Sequence, residues 1–439
     1  MKKYNSYKDS GIEWLGDTPA HWSNYRIDWI TAIVRGNTGL KKDKLLDIGE
    51  YVALQYGKTY KVDEVNNTFN FFVNSEYFKR NQTVHRGDTI LISTSETIED
   101  LGHSCFYNRN DLGLLGGEQI LLKPKTKLIN EKYLYYFSKI FCGELRKYAT
   151  GLKVFRFNTD DLKKVFIAIP PLSEQTTIAQ YLDTKTQTID KKINLLTKKA
   201  DYYKELRKSI INDAVCKGLD KNVKLKESGI EWIGKIPEHW EVKRFKDVVA
   251  KYTTGGTPST ANVEYFTGDN TWICISDISE DKYISSSKMF LSDEAIKETN
   301  IIKTPKGSLL YSFKLSIGKM AFVTKDVYTN EAILSIFPNK NIDLEYYYFM
   351  LPMFMFLAST ENIYGAKMLN QKLIANAFVL HPPKEEQTAI ANYLDEKTQK
   401  IDAIVSNMGK QIDTLKELRK TLINDVVTGK IKVVTNGNK

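Results

Sequence analysis

The sequence predicts an α+β protein made of two similar globular modules, each followed by one long helix. Three observations predict it. First, Ser10-Gly11-Ile12-Glu13-Trp14-Leu15-Gly16, with Pro19-Ala20-His21-Trp22 after it, returns 218 residues later as Ser228-Gly229-Ile230-Glu231-Trp232-Ile233-Gly234 and Pro237-Glu238-His239-Trp240. Second, a later block returns at an offset of 212: Glu174-Gln175, Ile178-Ala179, Tyr181-Leu182-Asp183 and Ile189-Asp190 match Glu386-Gln387, Ile390-Ala391, Tyr393-Leu394-Asp395 and Ile401-Asp402. Third, both copies of the later block carry apolar residues at heptad spacing. Two blocks repeating in the same order exclude chance. A period above 200 residues is too long for a solenoid and marks two domain-sized halves.

The first module is expected at residues 1–171 and the second at 218–383, with helices at 172–217 and 384–431 and a tail at 432–439. Between the repeated blocks the modules match faintly. Gly87 pairs with Gly307, Gly102 with Gly318 and Glu118 with Glu331. Tyr133-Leu134-Tyr135-Tyr136 pairs with Tyr346-Tyr347-Tyr348, and Thr150-Gly151-Leu152-Lys153 with Tyr364-Gly365-Ala366-Lys367. The tyrosine runs lie in helix-like context and read as core. One scaffold with divergent loops is what two recognition modules for two different targets would look like.

Pro170-Pro171 and Pro382-Pro383 fix the chain before each helix, because proline is extended-biased and cannot continue a helix backwards. Ser173 is the expected N-cap, with Glu174 complementing the helix N-terminus. The first seam runs Leu182, Thr186, Ile189, Ile193, Leu196, Ala200 and Tyr203, then Leu206, Ile210 and Ala214 after a one-residue shift. The second runs Leu394, Thr398, Ile401, Val405, Met408, Ile412 and Leu415, then Leu418, Leu422 and Val426 with the same shift. A helix from Ser173 to Val215 is about 65 Å long at 1.5 Å per residue. It cannot bury its seam alone. The simplest partner is its own repeat, packed antiparallel or parallel; the alternative is that each helix is buried separately against its own module.

Composition narrows the class. Of the 439 residues, 42% are hydrophobic and 26% charged, an ordinary globular mixture. The longest apolar runs, such as Phe349–Met355, hold a proline and fall far short of about 18 residues, so no membrane span is expected. Met1–Asp9 has no apolar stretch after its basic residues, so no secretory signal is expected. Cys105, Cys142, Cys216 and Cys274 stand too far apart for zinc-ligand or redox spacing, which suggests a reduced, cytoplasmic setting. The net charge of +10 hints at a polyanionic partner. That charge is uneven. The first module holds 25 basic and 20 acidic side chains, whereas residues 225–383 hold 17 and 18.

Catalytic constellations are missing. Gly57-Lys58-Thr59 ends like a phosphate-binding loop, but Val52 stands where its first glycine is required. No Gly-x-Ser-x-Gly or His-Glu-x-x-His occurs. Ile169-Pro170-Pro171-Leu172 and His381-Pro382-Pro383-Lys384 lack the flanking residues of an amino-methyltransferase motif. Glu241-Val242-Lys243 is nuclease-like only in its Glu-x-Lys. His21 and His239 sit in repeated His-Trp pairs and are expected to pack and hydrogen-bond at the module entrance. No catalytic residue and no metal ligand is assigned.

The divergent stretches carry the candidate DNA-contacting residues. In the first module these are Lys41, Lys42, Lys44, Tyr56, Lys58, Thr59, Tyr60, Lys61, Thr94, Ser95, Glu96, Lys153 and Arg156. In the second they are Thr254, Gly255, Gly256, Thr257 and Ser259 in one glycine-bearing loop, with Ser312, Lys314, Ser316, Lys367, Asn370 and Gln371. Such side chains can hold phosphates or read base edges. Two other readings stay open at this point: a two-headed protein-binding scaffold with a coiled-coil spacer, and an enzyme acting on DNA alone.

The chain resembles a type I restriction–modification specificity (S) subunit. The resemblance rests on Ser-Gly-Ile-Glu-Trp-x-Gly followed by Pro-x-His-Trp at each module start, and on Pro-Pro, Glu-Gln, Ile-Ala, Tyr-Leu-Asp and Ile-Asp after each module. Gly255-Gly256-Thr257-Pro258-Ser259 and Tyr328-Thr329-Asn330-Glu331-Ala332-Ile333 look like parts of the family's target recognition domains. The resemblance implies that each module reads one half of a bipartite double-stranded DNA target. It implies that the helices form an antiparallel coiled coil with pseudo-twofold symmetry, centred on Leu182, Ile189, Ile193, Leu196, Tyr203, Leu394, Ile401, Val405, Met408, Ile412 and Leu415. It further implies docking of two modification (methyltransferase) subunits that hold S-adenosylmethionine, and of restriction subunits that use ATP and Mg, while this chain binds no cofactor and catalyses nothing.

Overall fold

The computed structural model describes residues 2–125, 127–151, 153–314, 316–361 and 367–434. Leu152, the Tyr364-Gly365-Ala366 part of one faint repeat and the end of the tail lie outside the described residues. Contacts divide the chain into two units, Met1–Leu196 with Lys410–Lys439, and Thr197–Gly409.

The first unit is built on a five-stranded sheet: β1 (Thr31–Arg35), β2 (Glu64–Val65), β3 (Thr89–Ile92), β4 (Ser104–Tyr107) and β5 (Gln119–Pro124). The order is β1-β5-β3-β4-β2, antiparallel throughout except that β2 runs parallel to β4. Because strand side chains alternate, the sheet feeds two cores. Leu91, Phe106, Ile120 and Leu122 pack with α1 (Glu131–Phe141), whose Tyr133, Tyr135 and Tyr136 are buried as expected. Ile90, Cys105, Tyr107 and Leu121 pack against a second, four-stranded layer that supplies Val52, Leu54, Val84 and Leu115.

The repeated Ser-Gly-Ile-Glu-Trp-x-Gly is the loop of a hairpin between Tyr7–Asp9 and Asp17–Pro19. Gly11 and Gly16 take left-handed backbone angles, φ +67° and +64°, that a side chain would resist. Trp22 behind the hairpin is fully buried. Ser23–Arg26 then pairs with Phe166–Ile169, which returns the module's end to its start. The long helix α2 (Leu172–Lys217) leaves from there. Its first helical residue is Leu172, so Ser173, the expected N-cap, lies inside the first turn.

The second unit repeats this plan. Its sheet is β6 (Tyr252–Thr254), β7 (Tyr283–Ile284), β8 (Leu309–Ser312), β9 (Met320–Val323) and β10 (Ile333–Ile336), in the equivalent order β6-β10-β8-β9-β7. The helix α3 (Leu344–Leu357) takes the place of α1 and includes Pro352. The hairpin pairs Leu225–Glu227 with Lys235–Pro237, and Glu241–Arg244 pairs with Phe378–His381 before α4 (Lys384–Val427). Lys243 of the Glu-x-Lys pairs with Glu241 at 2.6 Å, an ordinary strand ion pair. The second layer differs, with three strands instead of four, and the second unit adds a short helix at Asp293–Thr299.

Within each unit, the N-terminal part of one long helix packs antiparallel to the C-terminal part of the other. In the first, Leu182, Ile189 and Ile193 share a core with Leu415, Leu422, Ile423 and Val426. In the second, Ile210, Ile211, Ala214 and Val215 share a core with Ile390, Ala391 and Leu394. Repeat-related residues make the same bonds. Asp190 meets Arg419 at 3.0 Å, and Asp402 meets Arg207 at 3.0 Å. Buried Gln175 accepts from the Asn130 N–H and donates to the Pro170 carbonyl, as Gln387 does for Asp343 and Pro382. His21 meets Glu174 at 2.7 Å and His239 meets Glu386 at 2.6 Å, so each histidine ties a module entrance to a helix start. Leu418 departs from the expected seam: it is 50% exposed, and Arg419 turns inward beside it.

The Tyr133 hydroxyl donates to the Val427 carbonyl and the Tyr346 hydroxyl to the Val215 carbonyl, each at 3.2 Å. Both bonds join the module's own helix to the last turns of a long helix, away from water. Tyr133→Phe and Tyr346→Phe are each expected to cost about 1 kcal/mol, the net worth of one buried hydrogen bond plus an orphaned carbonyl. A shift in the urea midpoint at unchanged slope checks this.

One contact is inverted between the units. Asp63, just before β2, accepts from Lys139 and from Arg419, each at 2.7 Å. Burial would raise its pKa, but Lys139 and Arg419 hold it down at about 2. The equivalent position before β7 is Lys282, which meets Asp395 at 2.5 Å and Glu345 at 2.6 Å. Among the described residues, no helix is long and apolar enough to cross a membrane.

Candidate nucleic-acid interface

The same end of each sheet collects polar side chains from several elements. In the first unit this end holds the exits of β1 and β3 and the entry of β5, since Gln119 lies across from Ile92 and Ile120 across from Arg35. Just beyond β3, Thr94-Ser95 pairs with Phe155-Arg156. The Thr94 hydroxyl donates to Glu118, and Arg156 Nε lies 3.8 Å from the same carboxylate. Tyr56 stacks on Tyr60 at 6.1 Å, and its burial, joined by the charges of Glu96, Glu118 and Asp100, raises its pKa. Tyr60 lies edge-on to His103 at 5.9 Å. Tyr56, Thr94, Glu118 and Arg156 therefore converge.

The second unit converges on a carboxylate at the same sheet end, Glu331, one residue ahead of the register equivalent of Glu118. Thr257 donates to Glu331, and this bond leads the causes that lower the Glu331 pKa, with Lys314 contributing. Gln371 donates to the Thr254 hydroxyl at 2.7 Å. Gly255 is dictated by space: a Cβ there would overlap the Thr329 carbonyl. Gly36 holds the equivalent place after β1, where a Cβ would overlap the Gly116 carbonyl. Gly256 accepts a hydrogen bond from the Trp272 indole at 3.1 Å, which pins the loop.

Other sequence candidates lie elsewhere or face inward. Lys41, Lys42 and Lys44 are exposed on or beside a separate 3-10 turn, Lys42–Lys44. Lys61 is exposed, while Lys58 caps the Phe71 ring at 4.3 Å. Lys153, Ser259 and Ser316 are exposed, and Lys367 lies over Phe356 at 5.7 Å. Asn370 caps the helix Gln371–Asn376 by accepting from the Leu373 N–H. Three expectations are corrected by burial. Thr59 is fully buried and donates to the Gln55 carbonyl, so it faces no ligand. Ser312 is fully buried and bonds the turn after β8. Ser95 is 3% exposed, and its hydroxyl accepts from the Thr97 N–H. Thr94, also buried, reaches the surface only through Glu118.

Sequence reasoning missed Glu118 and Glu331 as site residues, and its pairing of the two is off by one: the sheet register sets Ala332 at the place of Glu118, with Glu331 one residue earlier. A basic partner surface directs attention to cations, and the carboxylates stood out only after the fold placed them at the sheet end. Among the described residues, no group of three His, Cys, Asp or Glu could hold a metal ion.

A duplicated α+β module with two long helices, each module carrying its own polar cluster at one sheet end, defines a paired recognition protein. The model of the type I restriction modification DNA specificity domain matches residues 19–198 and again 237–414, and the chain belongs to that family. Over 439 aligned residues it is 25% identical to the type I restriction enzyme MjaVIII specificity subunit of Methanocaldococcus jannaschii, covering 94% of each chain. The MjaIX specificity subunit of the same organism is 30% identical over 198 residues, 44% of this chain and 45% of that one. The EcoKI specificity subunit of Escherichia coli K12 is 20% identical, covering 95% of this chain and 90% of that one. Two solved structures share the fold. One is a chain from a study of complex assembly and conformational transition in the type I R-M system, with TM-score 0.70 and 14% identity over 94% of this chain and 99% of that one. The other is the HsdS subunit from Thermoanaerobacter tengcongensis, with TM-score 0.53 and 15% identity over 94% and 98%.

Proposed function

We propose that this chain is the DNA-specificity subunit of a type I restriction–modification complex. Residues 1–171 and 218–383 act as target recognition domains, each reading one half of a bipartite duplex target. The helices at 172–217 and 384–431 set the spacer and dock the modification subunits, and residues 432–439 are a tail. The observation that carries this reading is the repeated sheet end: one scaffold presents a carboxylate, a nearby cation and neighbouring polar groups twice, with different neighbours each time. A shared frame with divergent contacts suits two different half-sites. Half-sites must meet both readers on one face of the duplex, so the separation between readers has to be fixed by rigid elements.

The proposed assembly has two methyltransferase subunits that supply S-adenosylmethionine and restriction subunits that use ATP and Mg, in the cytoplasm. This chain contributes recognition and no catalytic group. The test is binding of the chain with a cognate modification subunit to duplex libraries at several salt concentrations. Sequence-selective, salt-sensitive binding to a bipartite site is expected. A helical insertion in both long helices should change the preferred spacer and leave both half-sites intact. Absence of any selected sequence overturns the reading.

A further inference from the structure

We propose that Glu118 and Glu331 are base-reading residues, each accepting a hydrogen bond from an exocyclic amino group, adenine N6 or cytosine N4, in the half-site of its own module. The inference rests on the DNA-reading function proposed above and adds the chemistry of one contact per half-site.

Four observations point the same way. The two glutamates lie within one residue of each other in the repeat, Glu118 directly before β5 and Glu331 one residue ahead of its register equivalent Ala332 before β10, at the sheet end where the loops otherwise diverge. Each is tethered by a threonine hydroxyl, but the threonines come from different places: Thr94 follows β3, whereas Thr257 lies in the loop after β6. What the modules share is thus the oriented carboxylate and not the contact that orients it. Both side chains remain open to solvent, Glu118 at 49%. Glu118 also holds a left-handed backbone angle, φ +61°, which a non-glycine residue adopts at a cost and which gathers at functional sites.

The chemistry narrows what such a group can do. An ionised carboxylate only accepts hydrogen bonds. Phosphates offer no donor. In the major groove the donors are the amino groups of adenine and cytosine. A carboxylate presented to DNA therefore either repels it or reads one of those groups. Arg156, 3.8 Å from Glu118, and Lys314, acting on Glu331, offset the repulsion.

The test uses the full chain with a cognate modification subunit and a duplex library with two randomised blocks. Glu118→Gln is expected to relax preference by about tenfold or more at one position of one half-site, leaving the other half-site unchanged. Glu331→Gln should do the same in the opposite half-site. Glu118→Ala and Glu331→Ala, at exposed positions, repeat the measurement without a replacement hydrogen-bonding group. Unchanged preference at every position, or a uniform loss across all sequences, overturns the proposal and reduces the glutamates to loop ties. If the wild-type chain selects no sequence at all, the DNA-reading function itself has failed.

Discussion

Asp63→Lys will lower the stability of the first unit by about 2–3 kcal/mol. The change places an ammonium beside Lys139 and Arg419, which are only 14% and 18% exposed; each loses its bond to Asp63 at 2.7 Å, and Arg419 keeps Asp190. Breaking a fully buried pair costs roughly 3–5 kcal/mol, and the lower figure here reflects the 42% exposure of the Asp63 side chain. The second unit shows how the fold tolerates a lysine at this position: there Lys282 is met by Glu345 and Asp395. Lys132 is the repeat equivalent of Glu345, and Asp183 that of Asp395. Adding Lys132→Glu to Asp63→Lys is therefore expected to recover part of the loss. Urea denaturation of the unsubstituted chain and the two variants tests it, and a double variant no more stable than Asp63→Lys alone would count against the charge account. Asp63 has a depressed pKa, so its contribution is complete above about pH 4 and is lost as pH falls toward about 2.

Gly36→Ala and Gly255→Ala form the second large expectation. Each added methyl runs into a backbone carbonyl, Gly116 or Thr329, that is held in the neighbouring strand connection and cannot rotate away. Overpacking of this kind costs about 1–3 kcal/mol and displaces the backbone. In the second unit the displaced loop carries Thr257, the tether of Glu331. The expected result is half-site selective: Gly36→Ala weakens recognition by the first module and Gly255→Ala by the second, each by about tenfold or more if the full strain reaches the bound state. Selection from the duplex library reads this directly. Equal loss on both half-sites from either substitution would show that the displacement is not local.

Much of the architecture was legible in the sequence because duplication is a comparison a chain makes with itself. The hairpin loop of Ser10–Gly16 repeats because its glycines need left-handed angles, and those constraints apply equally at Ser228–Gly234. The heptad seam was legible because helix period and burial are local properties. The candidate sites were less legible. Thr59, Ser95 and Ser312 look like surface hydroxyls in a string of letters, but each is buried against backbone groups. Whether a hydroxyl faces water or a carbonyl depends on the strand beside it. That strand is distant in sequence.

The sequence by itself determined the doubling, the module–helix order, the seam apart from Leu418 and the absence of a familiar catalytic motif. All of these are patterns of residue type at fixed spacing. The tertiary structure decided what spacing cannot encode. It paired Asp190 with Arg419 and Asp402 with Arg207, making the helix contacts antiparallel within each unit. It put Lys282 where the first unit has Asp63, and it gathered Glu118 with Thr94 and Arg156 from three segments. The reason is physical: side chains meet through sheet register and helix packing, which join residues far apart in the chain, and charge and hydrogen bonding act only across those final distances.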